Sequence, residues 1–453
     1  MTLTFTGQLG LDHMGTHVPH GFILPEGVGT LRLRFTHDPA HPGSGDIPHQ
    51  LSISVYGPNG ARGTRHNNAD QSPAISTHHA SPGYLPGKIE AGEWRVEIDV
   101  HRILPPGGVT YRIEVMWNVE ELPAPETPQP QFGERKRGAG WYKGDLHGHT
   151  LHSDGRLTVE EYLNYSLERG FDFVALTDHN TTSALPELLS RAGEAITIIP
   201  GEELTTYNGH ALVLGTPDWV DWTVRDGHTM GARAREIAED GKVFVIAHPK
   251  SEGHPFCTGC RWAFADLLPG VARHVEVWNG PWTPCPKNPG GVALFYQWLN
   301  QGYRMVATCG TDTHRLAGEG QRFGFNVIRA EDNTLAALLD GLRTGESYIT
   351  SGPLLAARAS GSGQSVTFGD CLPEGEITAT CVLDDSDLAD DLTLSLTHCG
   401  TVIASASCAS GMELTETLST SSGDWITWEI RDRAGQLHMI TNAIRFGGES
   451  AWR

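Results

Sequence analysis

The sequence predicts an α/β fold in which a parallel sheet or barrel lies between two β domains. Strand and helix patterns alternate from Trp141 to Thr350, which is typical of parallel strands joined by helices. Residues 1–121 and residues 351–453 instead contain short alternating stretches separated by turns, as β-sandwiches do. A length of 453 residues exceeds what one hydrophobic core usually supports, so several domains are expected.

The two flanking regions are predicted from their alternating apolar and polar residues. In residues 1–121 the stretches are LRLRF, LSISVYG, WRVEIDV and YRIEVMW, with turns such as GPNGARG between them. Residues 122–140 are rich in proline and charge, cannot form a core, and are predicted to be a linker. In residues 351–453, ITATCVLDD, LTLSLTHCG and DWITWEIRD predict a second small β domain.

The central region, residues 141–350, carries seven segments with the character of buried strands. They read DLHGHT, ALTDHN, PGEEL, GHALVLG, IAHPK, VEVWNG and CGTDTH, and most end in a residue that can bind a metal. Thr158 and Glu161 form a capping-box pattern, and Gly170 suits a helix C-terminus, which predicts a helix after the first strand. Because strands and helices alternate, the expected sheet is parallel.

The histidines and carboxylates of these segments predict a site for more than one metal ion. His147 and His149 are two residues apart, so on an extended strand both imidazoles point to the same side. The other candidates follow at or just past the ends of later strands, where a barrel would bring them together: Asp154, His179, Glu203, His210, His248, Asp312 and His314. Nine ligands exceed the three that a catalytic zinc usually takes, so two or three divalent ions are predicted. Imidazole and carboxylate ligands suit zinc, manganese or iron, and the sequence does not choose among them.

The composition limits the expected partners. The formal net charge of −21 repels nucleic acid backbones and anionic membranes, so a small-molecule substrate is expected and nucleic acid is not. The N-terminus has neither a basic start nor an apolar run, and no stretch of about 18 apolar residues occurs, so a cytoplasmic protein without a membrane span is expected. Cys257 and Cys260 form a lone CTGC, interpreted as two neighbouring loop thiols in preference to a structural zinc site. The oligomeric state stays open.

Several motifs of the central region resemble, in their order, those of the PHP (polymerase and histidinol phosphatase) metallohydrolases. They are DLHGHT with SDG downstream, TDH, GEE, IAHP and GTDTH. The β domain ahead of DLHGHT, the TGESYITSGPLL passage and the ITNAI ending resemble the CehA/McbA branch of that superfamily. This resemblance implies a distorted (β/α)7 barrel and implies metal binding for each of the nine candidate ligands. At the third motif it implies Glu203, with Glu202 as the competitor because neighbours on a strand point to opposite sides.

These residues predict a metal-dependent hydrolase that acts on ester bonds. A water shared between two metal ions loses a proton near neutral pH and becomes the nucleophile, with Asp312 and His210 as candidate catalytic residues. Lys250, His254 and Arg315 follow directly on ligand motifs and are candidates for substrate binding. A small phosphate mono- or diester is the preferred substrate. A carboxyl ester or carbamate is the alternative that the branch implies, and a DNA-processing nuclease or an inactive binding protein is less favoured.

Two groups of residues are assigned supporting roles. Asp145 and Asp178 precede ligands and are expected to orient the metal-binding imidazoles. The ten histidines of residues 1–121 are expected to have surface or structural roles. The flanking domains are candidates for roofing the barrel mouth, restricting substrate size or forming an oligomer interface, and the sequence does not rank these roles.

Overall fold

The first part of the chain forms two antiparallel sheets. The computed structural model of the protein describes residues 2–41, 47–124, 133–224, 229–265, 271–283, 286–316, 318, 321–384 and 391–453. The first eight strands are β1 (Thr2–Leu9), β2 (His17–Leu24), β3 (Thr30–Asp38), β4 (Gln50–Gly57), β5 (Gly60–Thr64), β6 (Ala74–Ser76), β7 (Gly92–Arg102) and β8 (Val109–Asn118). They pair in the orders β1–β8–β3–β6 and β2–β7–β4–β5. Leu33, Val55 and Ile98 belong to one buried cluster with members on both sheets, so the two sheets pack face to face.

The central part of the chain alternates strands with helices. Its strands are β9 (Gly140–Asp145), β10 (Phe173–Leu176), β11 (Thr197–Thr205), β12 (His210–Leu214), β13 (Val243–Ile246), β14 (His274–Asn279), β15 (Val306–Gly310), β16 (Phe325–Ala330) and β17 (Ser347–Thr350). Its helices are α1 (Val159–Glu168), α2 (Leu185–Ala192), α3 (Met230–Glu239), α4 (Lys287–Asn300) and α5 (Leu335–Thr344). The predicted capping box is confirmed, because Thr158 caps α1 and exchanges hydrogen bonds with Glu161. The class is therefore mixed α/β, as the sequence predicts.

The seven strands from β9 to β15 lie side by side in chain order. Just beyond their carboxyl ends, the first and the last of them meet through a parallel bridge between Gly148 and Thr313. The His149 amide donates to the Thr313 carbonyl at 2.9 Å, and the Asp312 amide donates to the His147 carbonyl at 2.9 Å. This meeting brings residues from opposite ends of the central region, which are far apart in sequence, into one place.

One strand runs against the direction that the sequence predicts. β12 is antiparallel to both of its neighbours, β11 and β13, whereas the expected sheet is parallel. The reason is the length of the link: only residues 206–209 separate β11 from β12. A parallel crossover needs about a dozen residues, so a link this short makes a hairpin.

The last part of the chain returns to antiparallel strands and continues the central sheet. Its strands are β18 (Leu355–Gly361), β19 (Gln364–Val366), β20 (Cys371–Leu372), β21 (Gly375–Leu383), β22 (Thr393–His398), β23 (Thr401–Ser407), β24 (Glu413–Thr420), β25 (Trp425–Arg431), β26 (Leu437–Thr441) and β27 (Ile444–Phe446). Strand β17 pairs with β26, so the sheet runs on into this region, and β19–β18–β21–β24 form a separate sheet. The domain limits at residues 121, 140 and 350 stay a proposal. Every helix in the described part falls short of the length and apolar composition that a bilayer-spanning helix requires.

Candidate metal centre

All nine candidate ligands come together at one edge of the sheet, where the parallel central strands end and the antiparallel strand β12 begins. Four overlapping groups hold them, and within each group one ligand atom per residue lies within 4.8 Å of the others. The groups are His149, Asp154, His179 and His314; His147, His248 and Asp312; His147, His149 and Glu203; and His179, Glu203 and His210. Because the groups share members, they form one extended site with room for more than one ion.

Glu203 lies at the centre of this site and contacts five imidazoles. Its side chain is fully buried, whereas the neighbouring Glu202 turns to the other face of β11 and accepts a hydrogen bond from the Val220 amide at 2.9 Å. Glu203, and not Glu202, therefore points into the group of candidate ligands. Its oxygens lie 3.2 Å from His147 Nε2, 3.4 Å from His149 Nε2, 2.8 Å from His179 Nδ1, 3.0 Å from His210 Nδ1 and 3.1 Å from His248 Nε2.

Asp154 and Asp312 close the site on the side that faces solvent. Asp154 Oδ1 lies 3.0 Å from His314 Nε2 and 3.3 Å from His179 Nε2. Asp312 Oδ1 lies 2.9 Å from His149 Nε2. The backbone of Asp312 has φ +51°, a conformation that few non-glycine residues adopt but that aspartate tolerates. The chain accepts this conformation where it directs a carboxylate towards three histidines, a pattern that functional sites favour.

The hydrogen bonds of three imidazoles show that the donor set fits metal ions. His210 Nε2 donates to the Thr258 carbonyl at 3.3 Å, His248 Nδ1 to the Cys260 carbonyl at 3.3 Å, and His314 Nδ1 to the Asp312 carbonyl at 2.8 Å. In a neutral ring the other nitrogen then carries a lone pair. In each case that lone pair faces a carboxylate oxygen at 3.0 or 3.1 Å. Two lone pairs at this distance need a positive charge between them, supplied by a proton on the imidazole or by a bound metal ion, so this donor set is compatible with metal binding.

Unpartnered atoms support the same conclusion. His147 Nε2, His149 Nδ1, Asp154 Oδ1 and Glu203 Oε2 are buried without a hydrogen-bond partner in the described part of the chain. Buried polar atoms normally have partners, since a missing partner costs about 1–3 kcal/mol. Three of these atoms, all but His149 Nδ1, also take part in the short nitrogen–oxygen contacts of the site. Metal coordination is the bond that would satisfy them.

The electrostatic balance of the site keeps its carboxylates ionised. Burial favours the neutral acid of Asp312, yet His147 and His314 outweigh it and hold the pKa of Asp312 well below its usual range. The pKa of Glu203 is lowered in the same way, against burial, by His179 and His147. Burial lowers the pKa of His314, but the carboxylates of Asp154 and Asp312 prevail and raise it to about 9. The carboxylates thus carry the charge that divalent ions require.

Asp145 and Asp178 do not orient imidazoles, which corrects the role expected for them. Asp145 accepts from the amide and the hydroxyl of Thr311 at 3.0 and 2.5 Å. Asp178 accepts from the amide and the hydroxyl of Thr150 at 2.8 and 2.6 Å. Both carboxylates bond to backbone amides and hydroxyls and so fix the loops that carry the ligands.

Glu276, on β14, is the carboxylate that orients an imidazole, and the sequence gives little sign of it. One of its oxygens contacts His147 Nδ1 at 3.0 Å, and the other accepts from the His248 amide at 3.0 Å. Glu276 is 1% exposed, so these bonds lie in a medium that strengthens them. It therefore positions two of the ligands at once.

We expect the Glu276→Gln variant to bind metal about 10–100-fold more weakly than the wild type, since outer partners of metal ligands contribute that much. The amide keeps the size of the side chain but loses the charge that faces His147. Competition with a chelator of known affinity measures the effect. An unchanged metal affinity would show that Glu276 merely fills space.

A cavity of about 420 Å³ opens beside Asp154, Asp312 and His314. Among the candidate substrate residues, Arg315 lines this cavity, together with the cations Arg156 and Lys287, which the sequence does not single out. His254 instead lines a separate cavity next to Tyr207 and Phe256, and Lys250 is exposed outside both. The structure thus brings one of the three predicted substrate residues to the metal centre.

The loop around Cys257 and Cys260 contacts two of the candidate ligands, His210 and His248. These two cysteines form a disulfide, which corrects the interpretation as free thiols. The Thr258 and Cys260 carbonyls of this loop are the acceptors for His210 and His248. His210 Nε2 is thus held by the Thr258 carbonyl, and Nδ1 faces Glu203 inside the site, which suits a metal ligand better than a proton-transfer group.

Comparison with known proteins gives a family match for part of the central region. Residues 145–242 match the family model described as the PHP domain, which supports the predicted resemblance to that superfamily over this stretch, whereas the CehA/McbA branch stays a proposal. Six of the nine ligands fall within the matched stretch. His248, Asp312 and His314 lie beyond it and join the site through the fold.

Two curated relatives match part of this chain, and both are named 5′-3′ exoribonuclease Rnm. The protein of Salmonella typhimurium is 38% identical over 106 residues, which is 21% of this chain and 36% of the relative. The protein of Escherichia coli is 45% identical over 65 residues, which is 14% of this chain and 22% of the relative. The chain thus spans about a third or less of the length of these relatives.

Solved structures show more distant likenesses. A Bacteroides vulgatus protein, described as a two-domain protein containing a predicted PHP-like metal-dependent phosphoesterase, is 14% identical with a TM-score of 0.42. The match covers 71% of this chain and 100% of the Bacteroides vulgatus chain. An amidohydrolase from Chromobacterium violaceum is 17% identical, with a TM-score of 0.29 over 38% of this chain and 87% of its own. Neither likeness is close enough to assign an activity.

Proposed function

We propose that the protein is a metal-dependent hydrolase that cleaves a small phosphate mono- or diester. The observation that carries this proposal is the convergence of nine buried or half-buried ligands beside a cavity lined by three cations, Arg156, Lys287 and Arg315. Two or three divalent ions held by such ligands would lower the pKa of a bound water towards about 7 and would neutralise charge on the oxygens of the substrate. Cations at the cavity suit a substrate with negative charge of its own, such as a phosphate.

The chain's own residues have separate tasks in this proposal. Asp312 lines the cavity and stands among the candidate ligands, so it is the group proposed to bind a metal ion or to accept the proton of the attacking water. Arg315 and Lys287 hold the phosphate oxygens and orient the ester towards the metal centre. His210 is assigned as a ligand alone, because the Thr258 carbonyl holds Nε2 and only Nδ1, which faces Glu203, is left for a metal ion.

A phosphodiester of RNA is the second candidate substrate, because both curated relatives are named exoribonucleases. The net charge of −21 opposes a long nucleic acid chain, so a short substrate is favoured over a polymer. The carboxyl ester or carbamate of the CehA/McbA branch is the remaining alternative. It makes no use of the three cations that line the cavity.

A substrate panel on the metal-loaded protein tests the proposal. It contains chromogenic phosphate monoesters and diesters, a carboxyl ester, a carbamate and a short RNA with a 5′ phosphate. We expect turnover of the small phosphate esters to exceed that of the other compounds and to stop on chelation. Faster turnover of the carboxyl ester or the carbamate would contradict the phosphoesterase proposal, and faster turnover of RNA would favour the second candidate.

Neutral substitutions at the cavity should separate phosphate from carboxyl esters. We expect Arg315→Met to raise the KM for a phosphomonoester about 10-fold, since a hydrogen bond to a charged group is worth about 1.5–3 kcal/mol and exposure to solvent reduces that. The KM for a neutral carboxyl ester should not change. Lys250→Met is the matched control, because Lys250 lies outside the cavity. Equal effects of both variants on the phosphomonoester would contradict the assignment of this cavity to the phosphate.

A further inference from the structure

A loop of the N-terminal region, residues 65–68 between β5 and β6, reaches the metal centre. Arg65 donates two hydrogen bonds to the Leu151 carbonyl, at 3.1 and 2.8 Å. Asn68 Nδ2 donates to the Ser153 carbonyl at 3.1 Å. Both acceptors lie in the short segment that ends at the ligand Asp154. The N-terminal region is thus attached directly to a ligand-bearing loop.

Asn67 of this loop contacts the ligand itself. Its Nδ2 donates to Asp154 Oδ2 at 3.1 Å, while the other carboxylate oxygen, Oδ1, faces His314 and His179. The amide therefore fixes the outer oxygen and leaves the inner oxygen for a metal ion. Asn67 has φ +49°, which asparagine tolerates better than most residues. The chain thus accepts an uncommon backbone conformation at the residue that makes this contact.

His66 brings a buried nitrogen without a partner to the same place. Its ring is 5% exposed and lies 4.9 Å from the ring of the ligand His179. Gln50 Nε2 donates to His66 Nε2 at 3.2 Å, so in the neutral ring the hydrogen is on Nδ1. Within the described part of the chain, His66 Nδ1 is buried and has no hydrogen-bond partner. A buried donor of this kind is stabilised when a bound oxygen accepts from it.

We propose that residues 65–68 complete the active site, with Asn67 as a positioning residue for Asp154. His66 lies beside His179 and not on the lining of the cavity that holds Arg315, so its Nδ1–H is proposed to donate to the phosphate oxygen nearest the metal centre. This proposal rests on the proposed phosphoesterase function and extends it to the N-terminal region. Among the roles considered for the N-terminal region, the proposal selects that of covering the metal centre. His66 then departs from the surface or structural role expected for the N-terminal histidines.

The Asn67→Gly variant tests the positioning role. Glycine adopts positive φ without strain, so the change removes the amide and leaves the backbone in place. We expect the affinity for the ion held by Asp154 to fall about 10–100-fold, the usual effect of losing an outer partner of a metal ligand. Chelator competition and elemental analysis of the full-length protein measure it. Asn59→Gly, an exposed asparagine of the same region that bonds to Glu90, is the matched control.

The His66→Phe variant tests the donor. Phenylalanine keeps a ring against His179 but has no nitrogen, so metal content should be unchanged. We expect the dissociation constant of inorganic phosphate, measured by calorimetry on the metal-loaded protein, to rise about 10-fold. His66→Asn, whose amide nitrogen can take the place of Nδ1, should recover most of the loss. His66→Leu replaces the phenylalanine variant if that variant does not fold.

The outcomes separate this proposal from the function on which it rests. Wild-type metal affinity in Asn67→Gly together with wild-type phosphate affinity in His66→Phe would overturn it, since the loop would then only join two domains. If the wild type hydrolyses no phosphate ester but the Asn67→Gly variant still binds metal more weakly, the proposed function is wrong and the positioning role of Asn67 stands. Absence of phosphate binding by the metal-loaded wild type would overturn the role of His66.

Discussion

The Glu203→Gln variant is expected to lose bound metal and at least about 100-fold of its hydrolytic activity, since even outer partners of metal ligands are worth about 10–100-fold. Glu203 contacts five imidazoles at distances of 3.4 Å or less. The substitution replaces one carboxylate oxygen with an NH2 group, which cannot bind a metal ion and carries no charge. Elemental analysis and turnover of a chromogenic phosphate monoester measure the two losses.

Glu202→Gln is the matched control for this experiment. Glu202 is the preceding residue and is equally buried, but it lies on the other face of β11 and bonds to the Val220 amide. Burial raises the pKa of Glu202 well above its usual range, which favours the neutral acid, so we expect an amide of the same size to replace it with little change. Metal content and activity should stay close to wild type. Equal losses in both variants would mean that the substitution disrupts the strand and not the ligand set.

A second large effect is expected for Asp312→Asn, which should reduce kcat by about 10²–10⁴-fold, the range that a positioned proton acceptor contributes. Asn and Asp have the same shape, and both tolerate the positive φ at this position. The variant should therefore fold as the wild type does, with an unchanged melting temperature. Steady-state kinetics with a phosphate monoester at saturating metal measure the loss.

The control for Asp312→Asn is Asp432→Asn in the last part of the chain. Asp432 also faces a histidine, with Oδ2 3.5 Å from His438 Nε2, but it lies outside the metal centre. We expect full activity in this variant. If the kcat of the Asp312→Asn protein stays within a factor of about 3 of wild type, Asp312 has no part in the proposed chemistry.

Much of the ligand set could be predicted because the positions of these residues follow from local sequence patterns. His147 and His149 share one side of a strand by simple alternation, and His179 and His248 follow strand-like segments directly. The direction of β12 could not be read from its own residues, since HALVL suits either direction. Only the short link from Thr206 to Gly209 indicates that β12 forms a hairpin with β11.

The supporting residues escaped prediction for a different reason. Glu276 lies within a strand, and its partner His147 is 129 residues away in the sequence. Asn67 contacts Asp154 across 87 residues and comes from another region of the fold. Contacts between distant segments leave no mark on the periodicity of either segment. For His66, the only signal was a histidine in a polar loop, which surface positions share.

These nine residues are proposed to hold at least two divalent ions, and the positions of bound ions test this proposal better than a metal count does. His398, Cys399 and Asp424 form another group within reach of one ion, so a count alone would mix the two places. The most direct measurement is anomalous X-ray diffraction from crystals of the purified protein at the absorption edge of the metal found by elemental analysis. We expect two or three peaks among the nine ligands, with at least one beside Glu203. No peak there, or a single peak beside Cys399, would contradict the account.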